Sequence, residues 1–389
     1  MHLSVLTIAI LTHIPPLIAT PTPLPYSEWM ATSFLSKPQI KVDRHYVSAV
    51  LYEGLEKAAS LHSNPSLLNH TSTHLTSLLS SNGTLKGWSP TSYSLDDLRI
   101  GNNLLHHYLT TNSTLQKTNF KRAATSLRHQ LNSYPRTPSG GFWHRAPKYP
   151  NQMWLDGIYM ADVFYATYTH LFDRANGSAW EDIALQFDLV ETHCRNATSG
   201  LLVHGYDESK SAPWADGVSG ASPHVWDRAV GWYFMALVEV LQVYPQELSG
   251  YARLRGYFGR LAEALRRVQD GGGGWWLVMD EGDEGREGNY IESSATAMFA
   301  YGYLKGARTG LLESGYRETA KKAYGLLVDR FVKREENGTL SWEGTVLVGS
   351  LDKNASYEYY ISVPLSENDG KGAGPFMFAS VEMEMWQGS

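Results

Sequence analysis

The sequence predicts an all-α chain of one domain, about a dozen helices joined in pairs and closing into an α/α toroid. Three observations predict it. Apolar residues recur at 3.6-like spacing through most of the chain. No long stretch alternates apolar and polar residues as a half-buried strand would. The helix breakers sit between the periodic segments, and no linker after the first residues is long or simple enough to divide the chain.

Taken in order, helices are expected over 42–61, 96–109, 115–131, 156–172, 179–194, 229–243, 251–268, 293–309, 317–333 and 376–386. The 156–172 segment is apolar enough to be buried nearly all round. Loops are read at Pro135–Gly141, Gly205–Pro223, Gly271–Gly274 and Gly282–Gly288. The run Trp275–Met279 after the third of these reads as a short strand.

With 389 residues, 43% of them hydrophobic and 19% charged, the chain can bury a large core and is too apolar for intrinsic disorder. A net charge of −6 gives no basic footprint for nucleic acid. The single cysteine, Cys194, can form neither an internal disulfide nor a cysteine-based metal site. The 14 histidines are scattered, and neither HExxH nor GxSxG occurs. No metal, cofactor or nucleotide is therefore expected, and the chain is read as a monomer.

The first 25 residues combine an apolar run, Leu3–Leu11, with a Pro/Thr-rich stretch. That run is too short to span a bilayer, so 1–25 is read as a secretory signal and leader, and 26–389 as the catalytic domain. Seven Asn-x-Ser/Thr sequons, at Asn69, Asn82, Asn112, Asn176, Asn196, Asn337 and Asn354, agree with export as a glycoprotein free of the membrane.

Chemistry concentrates in a few segments. The 140–162 stretch packs Trp143, His144, Tyr149 and Trp154 before Asp156, which opens an apolar helix. As a plain N-cap, Asp156 would satisfy helix N–H groups. As an acid walled in by aromatic rings it would have a raised pKa and serve as a general acid, with Gly157 allowing a close neighbour. A second segment carries His204, then Trp226, Arg228 and Trp232, two indoles interleaved with a guanidinium. These suit sugar stacking and carboxylate recognition, or a structural Arg–Asp pair among core tryptophans. Asp96 and Asp97, and later Glu292, stand at helix entries where acids commonly complement the dipole.

Together GGFWHRAPKYPNQMWLDGIYMAD, HGYDES, WDRAVGW, LDDLRIGNNLL, ESSATAMFAYGYLKGAR and NDGKGAGPFMFASVEME resemble the unsaturated rhamnogalacturonyl hydrolases, glycoside hydrolase family 105, related to the unsaturated glucuronyl hydrolases. The resemblance covers roughly 46–386. It implies an (α/α)6 barrel and removal of a Δ4,5-unsaturated uronic acid from the non-reducing end of lyase-generated oligosaccharides. It implies Asp156 as general acid and base and Asp96, or else its neighbour Asp97, as the assisting acid. It places His144, Trp154, His204, Trp226, Arg228 and Trp232 around the substrate. His-Arg at 144–145 departs from the His-Lys of many members and leaves the contacts of Arg145 open. Two other readings stay distinguishable: an inverting glycosidase would act on saturated glycosides, and a secreted sugar-binding protein would bind without turnover.

Overall fold

The computed structural model describes residues 24–38 and 41–387. The expected leader lies outside them except for Leu24 and Pro25. Twelve helical units build the fold. Six form an inner ring: α2 (Tyr46–His62), α4 (Ile100–Thr110), the run α6 (Leu155–Gly157) through α7 (Val163–Phe172), α9 (Asp227–Val243), α11 (Ser293–Arg308) and α14 (Gly370–Gln387). Each packs on the next, and α14 returns to α2, so the ring is closed. The outer helices are α1 (Tyr26–Phe34), α3 (Pro65–Ser77), α5 (Thr114–Gln130), α8 (Gly177–Cys194), α10 (Ser249–Arg267) and α12 (Tyr316–Arg330). This is the (α/α)6 toroid that the sequence predicts.

Burial follows the layer. In α11 every residue from Ser293 to Ala307 is buried, because neighbours flank it and an outer helix covers it. In α10 a single stripe, with Leu254, Phe258, Leu261 and Leu265, faces inward. Pairs of inner helices are tied by buried charge. Glu239 on α9 accepts two bonds from Lys305 on α11, both at 2.8 Å, and one from Tyr301.

Most expected helices appear, with shifted ends. The 96–109 segment divides into a 3-10 turn, Leu95–Leu98, and α4. The 156–172 segment is interrupted by a π-helical stretch, Ile158–Asp162. The last helix starts at Gly370 rather than Phe376, despite three glycines and Pro375. Packing overrides propensity there: a Cβ on Gly372 would lie 2.2 Å from Thr345 and Trp342, and one on Gly374 2.8 Å from Val50. Helices α1 and α3, and the short α13 (Tyr357–Ser362), were not predicted. Trp275–Met279 forms only isolated bridges, Trp226 to Val278 and Trp276 to Ile291. The described strands make three short antiparallel pairs, of which β1 (Gln152–Trp154) with β2 (Gly205–Asp207) shapes the site.

The inner helices start at one end of the ring. Asp96, Asp156, Asp369 and Arg228, all at or next to such starts, act electrostatically on Tyr46 at the start of α2. No described helix is long and apolar enough to cross a membrane.

Candidate active site

At that end lies a cavity of about 390 Å³. Its wall includes Tyr46, Asp96, His144, Arg145, Trp154 and Asp156, together with the 348–353 segment. Asp156 arrives on β1 and α6. The cap position of α6 is Trp154, so Asp156 sits inside the first turn and its carboxylate is free for another partner. That partner comes from the strand pairing. Trp154 faces Gly205, and the Leu155 amide donates to the His204 carbonyl at 3.0 Å. The register sets His204 Nε2 3.1 Å from Asp156 Oδ2. Gly205 permits the approach, since a Cβ there would lie 2.6 Å from the Met153 carbonyl.

Asp96 enters from a neighbouring segment. Ser94 bridges Arg145, and the Leu95 amide donates to the His144 carbonyl at 3.1 Å. Asp96 Oδ2 then accepts from Arg145 Nη2 at 2.8 Å, while its Oδ1 stands 3.9 Å from His144 Nε2. Asp97 lines a separate cavity with Arg44, Glu367 and Asp369, adjoining the first through His45. Between Asp96 and Asp97, the first therefore shares the wall with Asp156. His144 stacks on Trp154 at 4.2 Å with Tyr149 beyond, an aromatic floor assembled from one loop. Gly157 provides the close approach expected of it: a Cβ would meet Leu95 at 2.8 Å and His144 at 3.3 Å.

The electrostatics of Asp156 correct the sequence reading. Burial pushes its pKa up, but His204, hydrogen-bonded to it, with His144 behind, outweighs burial and holds it below the ordinary carboxylate value. Burial also lowers the pKa of His144, keeping that ring neutral at neutral pH. Asp156 is thus held as a carboxylate.

Trp226, Arg228 and Trp232 do not reach the described cavity wall, and each is about 1% exposed. The Arg228 guanidinium donates to the carbonyls of Val346 and Leu347, the latter at 2.7 Å, and lies 3.8 Å from Glu292. Glu292 in turn caps α11 and accepts from the Val346 amide at 3.0 Å. Arg228 therefore pins the segment that roofs the cavity. Trp226 lies between His204 and Tyr360, and Trp232 stacks on Tyr159. The sequence reading missed Tyr46, Lys148, Tyr360 and the 348–353 roof. Lys148 closes toward that roof through Asp352 at 3.2 Å. Only the aromatic character of 357-YEYY-360 offered a signal, and nothing local tied it to Asp156.

A group able to ligate a metal lies elsewhere: His224, Asp280 and Asp283 offer atoms within 4.8 Å of one another. They are already paired, His224 with Asp280 at 2.9 Å and Asp283 with Arg286 at 3.0 Å.

Comparison with known proteins agrees with this geometry. Glycosyl Hydrolase Family 88 matches residues 26–387. A family 105 glycoside hydrolase of C. acetobutylicum is 35% identical over 93% of this chain and 100% of its own, with a TM-score of 0.87. The unsaturated rhamnogalacturonyl hydrolase YesR of Bacillus subtilis is 27% identical over 290 residues, 72% of this chain and 74% of that protein. The unsaturated glucuronyl hydrolase of Bacillus sp. GL1 shares the fold, with a TM-score of 0.68 over 92% of this chain and 95% of its own at 12% identity. The chain belongs to glycosyl hydrolase family 88, together with its family 105 relatives, and is a glycoside hydrolase.

Proposed function

We propose that this enzyme removes a Δ4,5-unsaturated galacturonyl residue from the non-reducing end of rhamnogalacturonan fragments produced by a lyase, outside the cell. The observation that carries the reading is one carboxyl, Asp156, set on the cavity wall between a buried imidazole and a stacked aromatic floor, with Asp96 on the same wall. The name of the YesR relative supports the substrate class. Exposed sequons, among them Asn69, Asn82 and Asn337, support export.

In this reading Asp156 gives its proton to C4 of the enol ether. The π electrons form the new C–H bond, and positive charge develops at C5 and the ring oxygen. Water adds at C5 and returns a proton to Asp156. The resulting hemiketal opens to a C5 ketone, and the hemiacetal left at C1 expels the aglycone as an alcohol. Asp156 starts ionised before substrate binds, so it must regain a proton as substrate enters. A uronate carboxylate nearby and the loss of water both raise its pKa. Arg145, Lys148 and Lys353 line the cavity and supply positive charge for that carboxylate. The aromatic floor stacks on the sugar.

Specificity is tested with three disaccharides: unsaturated galacturonyl-rhamnose, an unsaturated glucuronyl disaccharide, and the saturated galacturonyl-rhamnose. The highest kcat/KM is expected on the first, with no turnover of the third. Preference for the glucuronyl substrate would replace the substrate class, and turnover of the saturated one would overturn the hydration chemistry.

A further inference from the structure

The residue directly behind the Asp156–His204 pair is Tyr360, on α13, 156 positions from His204 in sequence. Its hydroxyl lies 2.8 Å from His204 Nδ1, while His204 Nε2 lies 3.1 Å from Asp156 Oδ2. We propose that Tyr360 is a positioning residue: its hydroxyl donates to Nδ1, fixes the imidazole proton on Nε2, and so aims one N–H at Asp156. The inference deepens the reading of Asp156 as the acid and base of the reaction, and it rests on that reading.

Three observations carry it. His204 Nδ1 is the only hydrogen-bond partner of the Tyr360 hydroxyl among the described residues. Burial holds that phenol well above its ordinary pKa, so it keeps its proton and stays a donor. The His204 ring is fully buried between Trp154 and Trp226, at 5.6 and 4.8 Å, so it cannot turn to find another partner. Tyr360 is itself held, stacked on Trp226 at 5.8 Å.

The chemical consequence concerns how Asp156 is tuned. A doubly protonated His204 would need Tyr360 as acceptor and would leave the phenol proton without a partner. The relay therefore keeps the Nε2 proton aimed at Asp156. Asp156 then receives one directed N–H from His204 and can recover a proton when substrate arrives. Other titratable groups facing these residues are His144, Asp96 and Tyr46 on the Asp156 side, and Tyr359, Asp280 and His224 on the Tyr360 side.

The test reads the imidazole nitrogens directly. In ¹⁵N-histidine-labelled wild-type enzyme, the signals lost on His204→Gln belong to this ring. A protonated Nε2 and an unprotonated Nδ1 are expected at neutral pH. A proton on Nδ1 would overturn the proposal. These signals come from the unliganded enzyme, so failure of the substrate assignment leaves the test standing. Tyr360→Phe keeps the stacked ring and removes the donor. It is expected to give mixed tautomers, to lower kcat about 10–100-fold with KM changed less, and to move the alkaline limb of kcat/KM upward. Wild-type tautomer and pH profile in that variant would also overturn it.

Discussion

Asp156 is governed by two opposed effects, and which one wins depends on what fills the cavity. Burial disfavours its charge, and His204 favours it; before substrate binds His204 prevails. The profile of kcat/KM reports the free enzyme and that of kcat the complex. If the protonated carboxyl attacks C4, kcat/KM is expected to fall with rising pH from the acid side, about tenfold per pH unit above the Asp156 pKa. The fall in kcat is expected at higher pH, because bound uronate raises the same group. Coincident limbs, or a kcat/KM that rises with pH, would contradict this. The residues of the aromatic loop and the acid after it are legible in the sequence because one contiguous segment carries His144, Trp154 and Asp156. The sign of the Asp156 shift is not legible, because it depends on His204, brought in by a strand pair. The same holds for Tyr360, whose role exists only across the folded ring.

At the scale of elements, periodicity locates most helices but not their ends. The acids at helix entries read individually as caps, and some are: Glu292 does cap α11. Asp156 and Asp96 instead spend their carboxylates on His204 and Arg145. Helix α3 carried a usable signal, Asn64 as cap followed by Pro65, but its weak apolar stripe hid it. The start of α14 had none, since its glycines are explained by contacts with Trp342 and Val50. Inner helices are joined by charge that only the fold reveals. Glu239 holds Lys305 and lies 3.9 Å from Lys57 of α2, three inner helices meeting at one carboxylate. Glu239→Leu leaves the Lys305 ammonium without its buried carboxylate, while Lys57 keeps Glu53 at 3.2 Å, and is expected to cost about 3–5 kcal/mol. The urea midpoint measures it, and a loss within about 0.5 kcal/mol would show that the network is not load-sharing between helices.

For the whole molecule, the toroid gathers what the sequence disperses. Inner helices begin beside Tyr46, Asp96, Asp156, Asp227, Glu292 and Asp369, positions spread over more than three hundred residues, and the closed ring brings these starts to one end. Helix N-termini favour negative charge, which suits both the acids there and an anionic sugar. α1 helps seal the ring where α14 meets α2: the Ser27 amide donates to Glu384 at 2.9 Å. The toroid was legible from helix number and pairing together with the resemblance, whereas its central cavity and roof were not, because they are made by segments between helices. The most direct measurement follows the C4=C5 absorbance and the release of rhamnose together, on lyase-generated unsaturated galacturonyl-rhamnose, for wild type and Asp156→Asn. The two signals are expected to report one reaction in the wild type, and both to fall about 10²–10⁴-fold in the folded variant. Rhamnose released with the double bond intact, or an Asp156→Asn enzyme of wild-type activity, would contradict the account.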